Sequence, residues 1–147
     1  MKLCDLHTHS TCSDGTLTPT ELVKLALEKN LAAVALTDHN TVAGLPEFMA
    51  AAEGKNVRAI PGTEFSTDYK GTELHILGLF LQPTYYGQTT AFLDTMNERK
   101  EQSNRELVFA LSRAGYDLDY DQIKGGHHGT VNRAVIAAEL LKKGYIS

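Results

Sequence analysis

Asp5-Leu6-His7-Thr8-His9-Ser10-Thr11-Cys12-Ser13-Asp14-Gly15 is the stretch on which the reading of this chain turns. Residues Lys2 to His9 are predicted to form a β-strand. Side chains alternate across a strand, so Asp5, His7 and His9 share one face, and Cys4, Leu6 and Thr8 share the other. Two imidazoles spaced this way can converge on one metal ion. A Ser/Thr/Gly loop carrying Asp14 follows, in the place where α/β folds set their chemistry. Taken alone, H-x-H is often only a polar strand face, and Asp14-Gly15 is more often a turn than a ligand pair. The rest of the chain decides between these readings, because three more strands carry His, Asp or Glu at their ends or inward faces.

Thr18-Pro19-Thr20-Glu21 announces a helix, with Thr at the N-cap, Pro at the first helical position and Glu three residues after the cap. The helix is predicted to run to about Asn30, with Leu22, Leu25, Ala26 and Lys29 along one stripe. Leu31 to Thr37 is short and nearly all apolar, the mark of a strand buried on both faces in a parallel sheet. It ends in Thr37-Asp38-His39-Asn40. A second helix, about Val42 to Glu53, tolerates Pro46 near its start and stops at Gly54. Val57 to Ile60 is predicted as a third strand, leading into Pro61-Gly62-Thr63-Glu64. A turn at Tyr69-Lys70-Gly71 brings a fourth, Glu73 to Leu81, with His75. The order β-α-β-α-β-β is an α/β pattern.

Beyond it the character changes. Gln88 to Ala114 reads as one long helix closed by Gly115. Its middle, Asn97 to Arg105, is strongly polar, and Phe92, Met96, Leu107 and Leu111 cluster towards its ends. A loop with Gly125, Gly126, His127, His128 and Gly129 follows, in which the histidines read as polar loop residues. The last helix, about Val131 to Lys143, is expected to be capped by Thr130 and closed by Gly144.

His7, His9, Asp14, His39, Glu64 and His75 are many candidate ligands for so few strands. Imidazole nitrogen with carboxylate oxygen suits zinc, manganese or iron, and argues against calcium or a lone magnesium. Glu64 is the natural bridge between two ions, since one carboxylate offers two oxygens. Asp5 and Asp38 stand beside ligand candidates and read as acceptors that fix imidazole tautomers; the plain alternative for either is a capping or turn carboxylate.

The chain of 147 residues is long enough for one domain with a real core, and its 42% apolar and 22% charged residues make it globular rather than disordered. Its net charge of -4, without a basic stripe, argues against duplex binding and leaves a small nucleotide substrate open. With no signal-peptide hydrophobic region and no apolar run that could span a membrane, a cytoplasmic protein is expected. Cys4 reads as a small apolar residue facing away from His7 and His9. Cys12 lies near the proposed site, and no disulfide is expected.

Four segments together resemble a known family. Asp-Leu-His-Thr-His-Ser-x-x-Ser-Asp-Gly at 5–15, Thr-Asp-His-Asn at 37–40, Pro-Gly-x-Glu at 61–64 and Glu-x-His-Ile-Leu-Gly at 73–78 look like successive motifs of the PHP (polymerase and histidinol phosphatase) superfamily. The nearest likeness is to stand-alone phosphoesterases acting on nucleotides, including nucleoside 3′,5′-bisphosphate phosphatases and 5′-to-3′ exoribonucleases. The resemblance implies a (β/α)7 barrel, a trinuclear metal site and hydrolysis of a phosphate ester; two or three divalent ions, of zinc, manganese or iron, are expected. The positions matching the family's ligands are His7, His9, Asp14, His39, Glu64 and His75. It also implies that residues 1–87 are the N-terminal part of the barrel and 88–147 a helical insertion, so that the chain looks like the N-terminal part of a longer protein. The last helix resembles a family segment in which Arg, a small residue or Pro, and His follow one another; here Arg133-Ala134-Val135 lacks the His, and Arg133 is left as a phosphate contact.

The leading expectation is a metal-dependent phosphoesterase for a nucleotide or oligonucleotide. A non-catalytic metal-binding PHP module, as attached to some DNA polymerases, is the alternative from another class, and a metal-dependent amide hydrolase is a third. A part-barrel should also leave open sheet edges, from which self-association or pairing with a C-terminal fragment is expected.

Overall fold

In the computed structural model, which describes residues 3–126 and 131–146, the apolar run after Asn30 becomes strand β2, Ala33–Leu36, buried along its whole length. Parallel neighbours on both sides account for this. β1, Cys4–Thr8, pairs with one edge of β2 and β3, Arg58–Tyr69, with the other. β4, Thr72–Leu79, lies antiparallel to β3 and completes a four-stranded sheet in the order β1-β2-β3-β4. Helices α1, Pro19–Glu28, and α2, Leu45–Ala52, connect the parallel strands. The architecture is mixed α/β, a part-barrel, and its main core joins Leu22, Val23 and Ala26 of α1 to Leu45 and Phe48 of α2 and to Val34 and Leu36 of β2.

The capping box of α1 forms as expected: Thr18 Oγ1 accepts from Glu21 N at 3.2 Å, and Glu21 Oε2 accepts from Thr18 N at 2.8 Å. The buried stripe is rotated from the expected one. It runs through Pro19, Leu22, Val23 and Ala26, and leaves Leu25 exposed. α2 begins later than expected, at Leu45, which places Pro46 in its first turn, where the absent N–H has no helical partner to lose.

β3 is much longer than the Val57–Ile60 strand expected. Its first half, Arg58 to Pro61, pairs with Ala33 to Leu36; its second, Gly62 to Tyr69, pairs with Leu79 back to Thr72. Pro61 stands at this change of partner, its carbonyl accepting from Leu81 N at 3.0 Å. A proline at such an irregular point interrupts no regular ladder. Gly62 is needed there as well, because a Cβ at this position would lie 2.7 Å from Gly78 O. The hairpin closes through Lys70 (φ 54) and Gly71 (φ 80), the paired positive φ values of a two-residue turn between Tyr69 and Thr72.

Cys4 and Leu6 are exposed on β1, an edge strand that pairs only with β2 among the described residues. Both cysteines are free.

By its contacts the chain divides into two units, Met1–Met96 and Asn97–Ser147. The long helix α3, Tyr86–Arg113, crosses the boundary, and no strand follows β4 among the described residues. Its Leu93 is buried in the core of the first unit, and its Val108 in that of the second. The second unit also contains α4, Tyr120–Gly125, a short helix that no sequence signal announces, and α5, Arg133–Lys142. Its core gathers Val108, Leu118, Tyr120, Ile123, Val131 and Ile136. Asn132, not Thr130, caps α5, its side chain accepting from Val135 N at 3.0 Å. Thr130, with His127, His128 and Gly129, lies outside the described residues. No helix among the described residues is long and apolar enough to cross a membrane.

Candidate metal centre

The carboxyl ends of β1 and β2 are laced together by threonines. Thr8 O accepts from Thr37 N at 2.9 Å and from Thr37 Oγ1 at 3.1 Å, and Thr8 Oγ1 donates to Ala35 O. Past this point the backbone of Asp38-His39-Asn40 runs beside Glu64: Glu64 N donates to Asp38 O at 3.1 Å and Asn40 N to Glu64 O at 2.9 Å. Asn40 adopts φ 48, a value asparagine tolerates, and its Oδ1 accepts from Ser66 N. His39 is thereby held against Glu64. His75 reaches the same point from β4, because Glu64 pairs with Leu77 and Ser66 with His75, which makes Glu64 and His75 diagonal neighbours on one face.

The loop after β1 is closed by Gly15 N and Ser13 N, both donating to Ser10 O at 2.9 and 3.1 Å. Gly15 lies directly against the strand end: a Cβ there would stand 2.2 Å from His9 O. This tight return carries Asp14 back towards His9.

The outcome is a ring of imidazoles around one carboxylate. Glu64, with only 3% of its side chain exposed, turns Oε2 to His7 Nε2 (2.9 Å), His9 Nε2 (3.2 Å) and His39 Nδ1 (3.5 Å), and Oε1 to His75 Nδ1 (2.9 Å). Asp14 places its oxygens 3.6 Å from His9 Nδ1 and from His39 Nε2. Three overlapping groups of potential ligand atoms result: His7–His9–Glu64, His9–Asp14–His39 and His39–Glu64–His75. All six side chains singled out from the sequence are therefore brought together. Glu64 lies within a strand rather than beyond its end, because β3 continues after it leaves β2.

The donor chemistry fits divalent cations. His7 Nε2 and His9 Nε2 are 3.1 Å apart with the Glu64 oxygen beside both, so electron-rich atoms crowd one point. The buried Nδ1 atoms of His9 and His39 find no hydrogen bond among the described residues. A cation would satisfy such atoms together. Burial pushes the Glu64 carboxyl up, but the hydrogen bond from His7 and the neighbouring imidazoles outweigh it and hold the group below the usual carboxylate value. Burial pushes His39 down, more strongly than the carboxylates of Glu64 and Asp14 raise it, with His9 and His75 adding to the fall. Its neutral form, the one that binds metal, is favoured.

Two expected supporting roles are corrected. The Asp38 carboxylate is held by Ser10 and Ser13 rather than by an imidazole. Asp5 accepts from His7 N, its own strand's backbone, at 3.2 Å. Glu73, which precedes His75 by one strand repeat, places its carboxylate 3.4 Å from His75 Nε2. Arg133 is exposed at the start of α5, in the second unit.

A family model for the PHP domain matches residues 5–143. The chain belongs to the PHP domain family. Among curated proteins, this PHP chain is 39% identical over 146 residues to a 5'-3' exoribonuclease of Haemophilus influenzae, covering 99% of the chain and 53% of that protein. It is 37% identical over 111 residues to a 3',5'-nucleoside bisphosphate phosphatase of Chromobacterium violaceum, covering 76% of the chain and 39% of that protein. A solved structure of a Bifidobacterium adolescentis protein assigned as a metal-dependent phosphoesterase superposes with a TM-score of 0.78 at 27% identity, over 99% of this chain and 51% of that one. The chain thus spans between 39% and 53% of the length of these relatives.

Proposed function

We propose that this PHP domain serves the metal-dependent hydrolysis of a nucleotide or oligonucleotide phosphate ester. The observation that carries the reading is the convergence of four imidazoles and Asp14 on the buried carboxylate of Glu64. The names of the relatives, an exoribonuclease and a nucleoside bisphosphate phosphatase, support the nucleotide class. His7, His9, Asp14, His39, Glu64 and His75 would hold two or three divalent ions, of zinc, manganese or iron. When bound, such ions supply Lewis acidity, which lowers the pKa of water and offsets charge developing on a phosphate.

The protein's own contribution is placement. Glu64 offers one oxygen to the His7–His9 side and the other to His75, which suits a bridge. His7, Asp14 and His75 keep 49%, 45% and 41% of their side chains exposed, so solvent and an anionic ester reach the cluster from that side. The planar fork of Arg133, at the start of α5, suits a contact to phosphate. We place residues 1–87 in a (β/α)7 barrel and 88–147 in a helical insertion.

A second reading is a metal-binding module without turnover, since the three groups of ligand atoms could hold an ion whether or not an ester is hydrolysed there. Purified protein should retain divalent metal by elemental analysis and release phosphate from nucleotides, with no turnover of amides. Glu64→Gln should lower metal content and cut turnover on the order of 100-fold together. Metal bound without turnover selects the second reading. Unchanged stoichiometry in Glu64→Gln rules out the bridge.

A further inference from the structure

The cluster exists only if three segments meet: the loop carrying His9 and Asp14, the end of β2 carrying His39, and β3 carrying Glu64. Apart from the candidate ligands themselves, Asp38 at the end of β2 bonds to both of the other segments. Asp38 is 2% exposed, and its Oδ1 accepts from Ser10 N and Ser13 Oγ, both at 2.7 Å. Its Oδ2 accepts from Ser10 Oγ at 2.7 Å. On the other side its backbone carbonyl accepts from Glu64 N at 3.1 Å and from Thr63 Oγ1 at 3.0 Å. His39 is its neighbour in the chain.

We infer that Asp38 is a positioning residue for the metal centre: its carboxylate anchors the loop that aims His9 and Asp14, while its backbone holds His39 and Glu64 beside them. The inference rests on the metal-centre reading above. Both carboxylate oxygens are engaged by short bonds to the loop, and Asp38 belongs to none of the three groups of ligand atoms. Among the described residues the loop's backbone-to-backbone bonds, Thr11 N to Leu17 O and Ser13 N and Gly15 N to Ser10 O, close it on itself without reaching β2. The Asp38 carboxylate makes that connection. Ser10 Oγ, which also accepts from Cys12 N at 3.1 Å, needs an acceptor for its own proton. A carboxylate provides it, whereas an amide nitrogen in its place does not.

The test uses cobalt(II) as the probe, titrated into the purified chain against a chromophoric chelator. Asp38→Asn keeps the shape and removes one acceptor. It should weaken cobalt binding about 10- to 100-fold, the range seen when groups behind metal ligands are changed, and alter the visible absorption of the bound ion. Adding Asp14→Ala to Asp38→Asn should cost less than Asp14→Ala does in the wild type, because both act through the same loop. Ser10→Ala with Ser13→Ala should reproduce the effect with Asp38 intact, which covers the case in which Asp38→Asn does not fold. In metal-free protein, amide exchange at Thr11, Ser13 and Gly15 should quicken in Asp38→Asn. Unchanged cobalt affinity and spectrum in folded Asp38→Asn, or unchanged exchange in the loop, overturns the inference. A wild-type chain that takes up no cobalt while its loop exchange responds as expected overturns the metal-centre reading instead.

Discussion

Gly15 shows how little freedom the centre has. Its missing side chain lets the loop return onto the strand end, where a Cβ would meet His9 O at 2.2 Å and Ser10 N at 2.8 Å. Both contacts are with backbone, which cannot swing aside as a side chain can. Gly15→Ala should therefore displace the loop, destabilise the chain by about 1–3 kcal/mol and weaken metal uptake. Urea denaturation and elemental analysis would measure the two effects; wild-type values for both would mean that the loop relaxes without disturbing Asp14. Glu64 is under a different constraint. Its burial is tolerable only with cationic or hydrogen-bonding neighbours around both oxygens, and the imidazoles are placed to provide them.

The helix α1 and the strand β3 illustrate two ways in which local sequence meets its surroundings. The start of α1 is decided locally, by the reciprocal bonds of Thr18 and Glu21. Thr18→Ala should lower stability by about 1 kcal/mol, read as a fall in the urea midpoint with an unchanged slope. A loss near zero would mean that packing of Pro19 and Leu22 sets the helix start without the cap. β3 takes its length from its neighbours. Four residues pair with β2, the chain changes partner at Pro61 and Gly62, and the remainder pairs with β4. Glu64 needs both arrangements: its backbone meets Asp38 and Asn40 on one side, and its side chain meets His75 from the other.

In the first unit the sheet ends in β1 on one side and β4 on the other, with no strand beyond either among the described residues. β1 is exposed along most of its length, and Leu6, Leu74 and Ile76 remain 43%, 42% and 54% exposed. Unpaired edges bearing apolar side chains invite pairing with other chains. We expect the 147-residue chain by itself to self-associate, with an apparent mass by light scattering that rises with concentration. Ile76→Lys, which places a charge on the β4 edge without touching the ligand face, should reduce this. A monomer at all concentrations would show that these edges are quiet.

The sequence by itself determined the element order through β4, the capping box, the buried parallel strand and the six side chains of the centre, because each leaves a local mark: a period, a cap, an apolar run, or histidines two residues apart. The tertiary structure alone decided where β3 ends, since Pro61 and Gly62 look like a loop until two partners are seen on either side. It decided which face of α1 is buried, exchanging Leu25 for Val23, because the phase of a short stripe depends on what it meets. α4 was missed for lack of length, and Asn132 displaced Thr130 as the cap of α5 by two residues. It also decided the partners of the carboxylates. Nothing in Thr-Asp-His-Asn says that Asp38 turns to Ser10 and Ser13 rather than to an imidazole. Hydrogen-bond partners so far apart in the chain are chosen by the meeting of β1 and β2, which exists only in the folded chain.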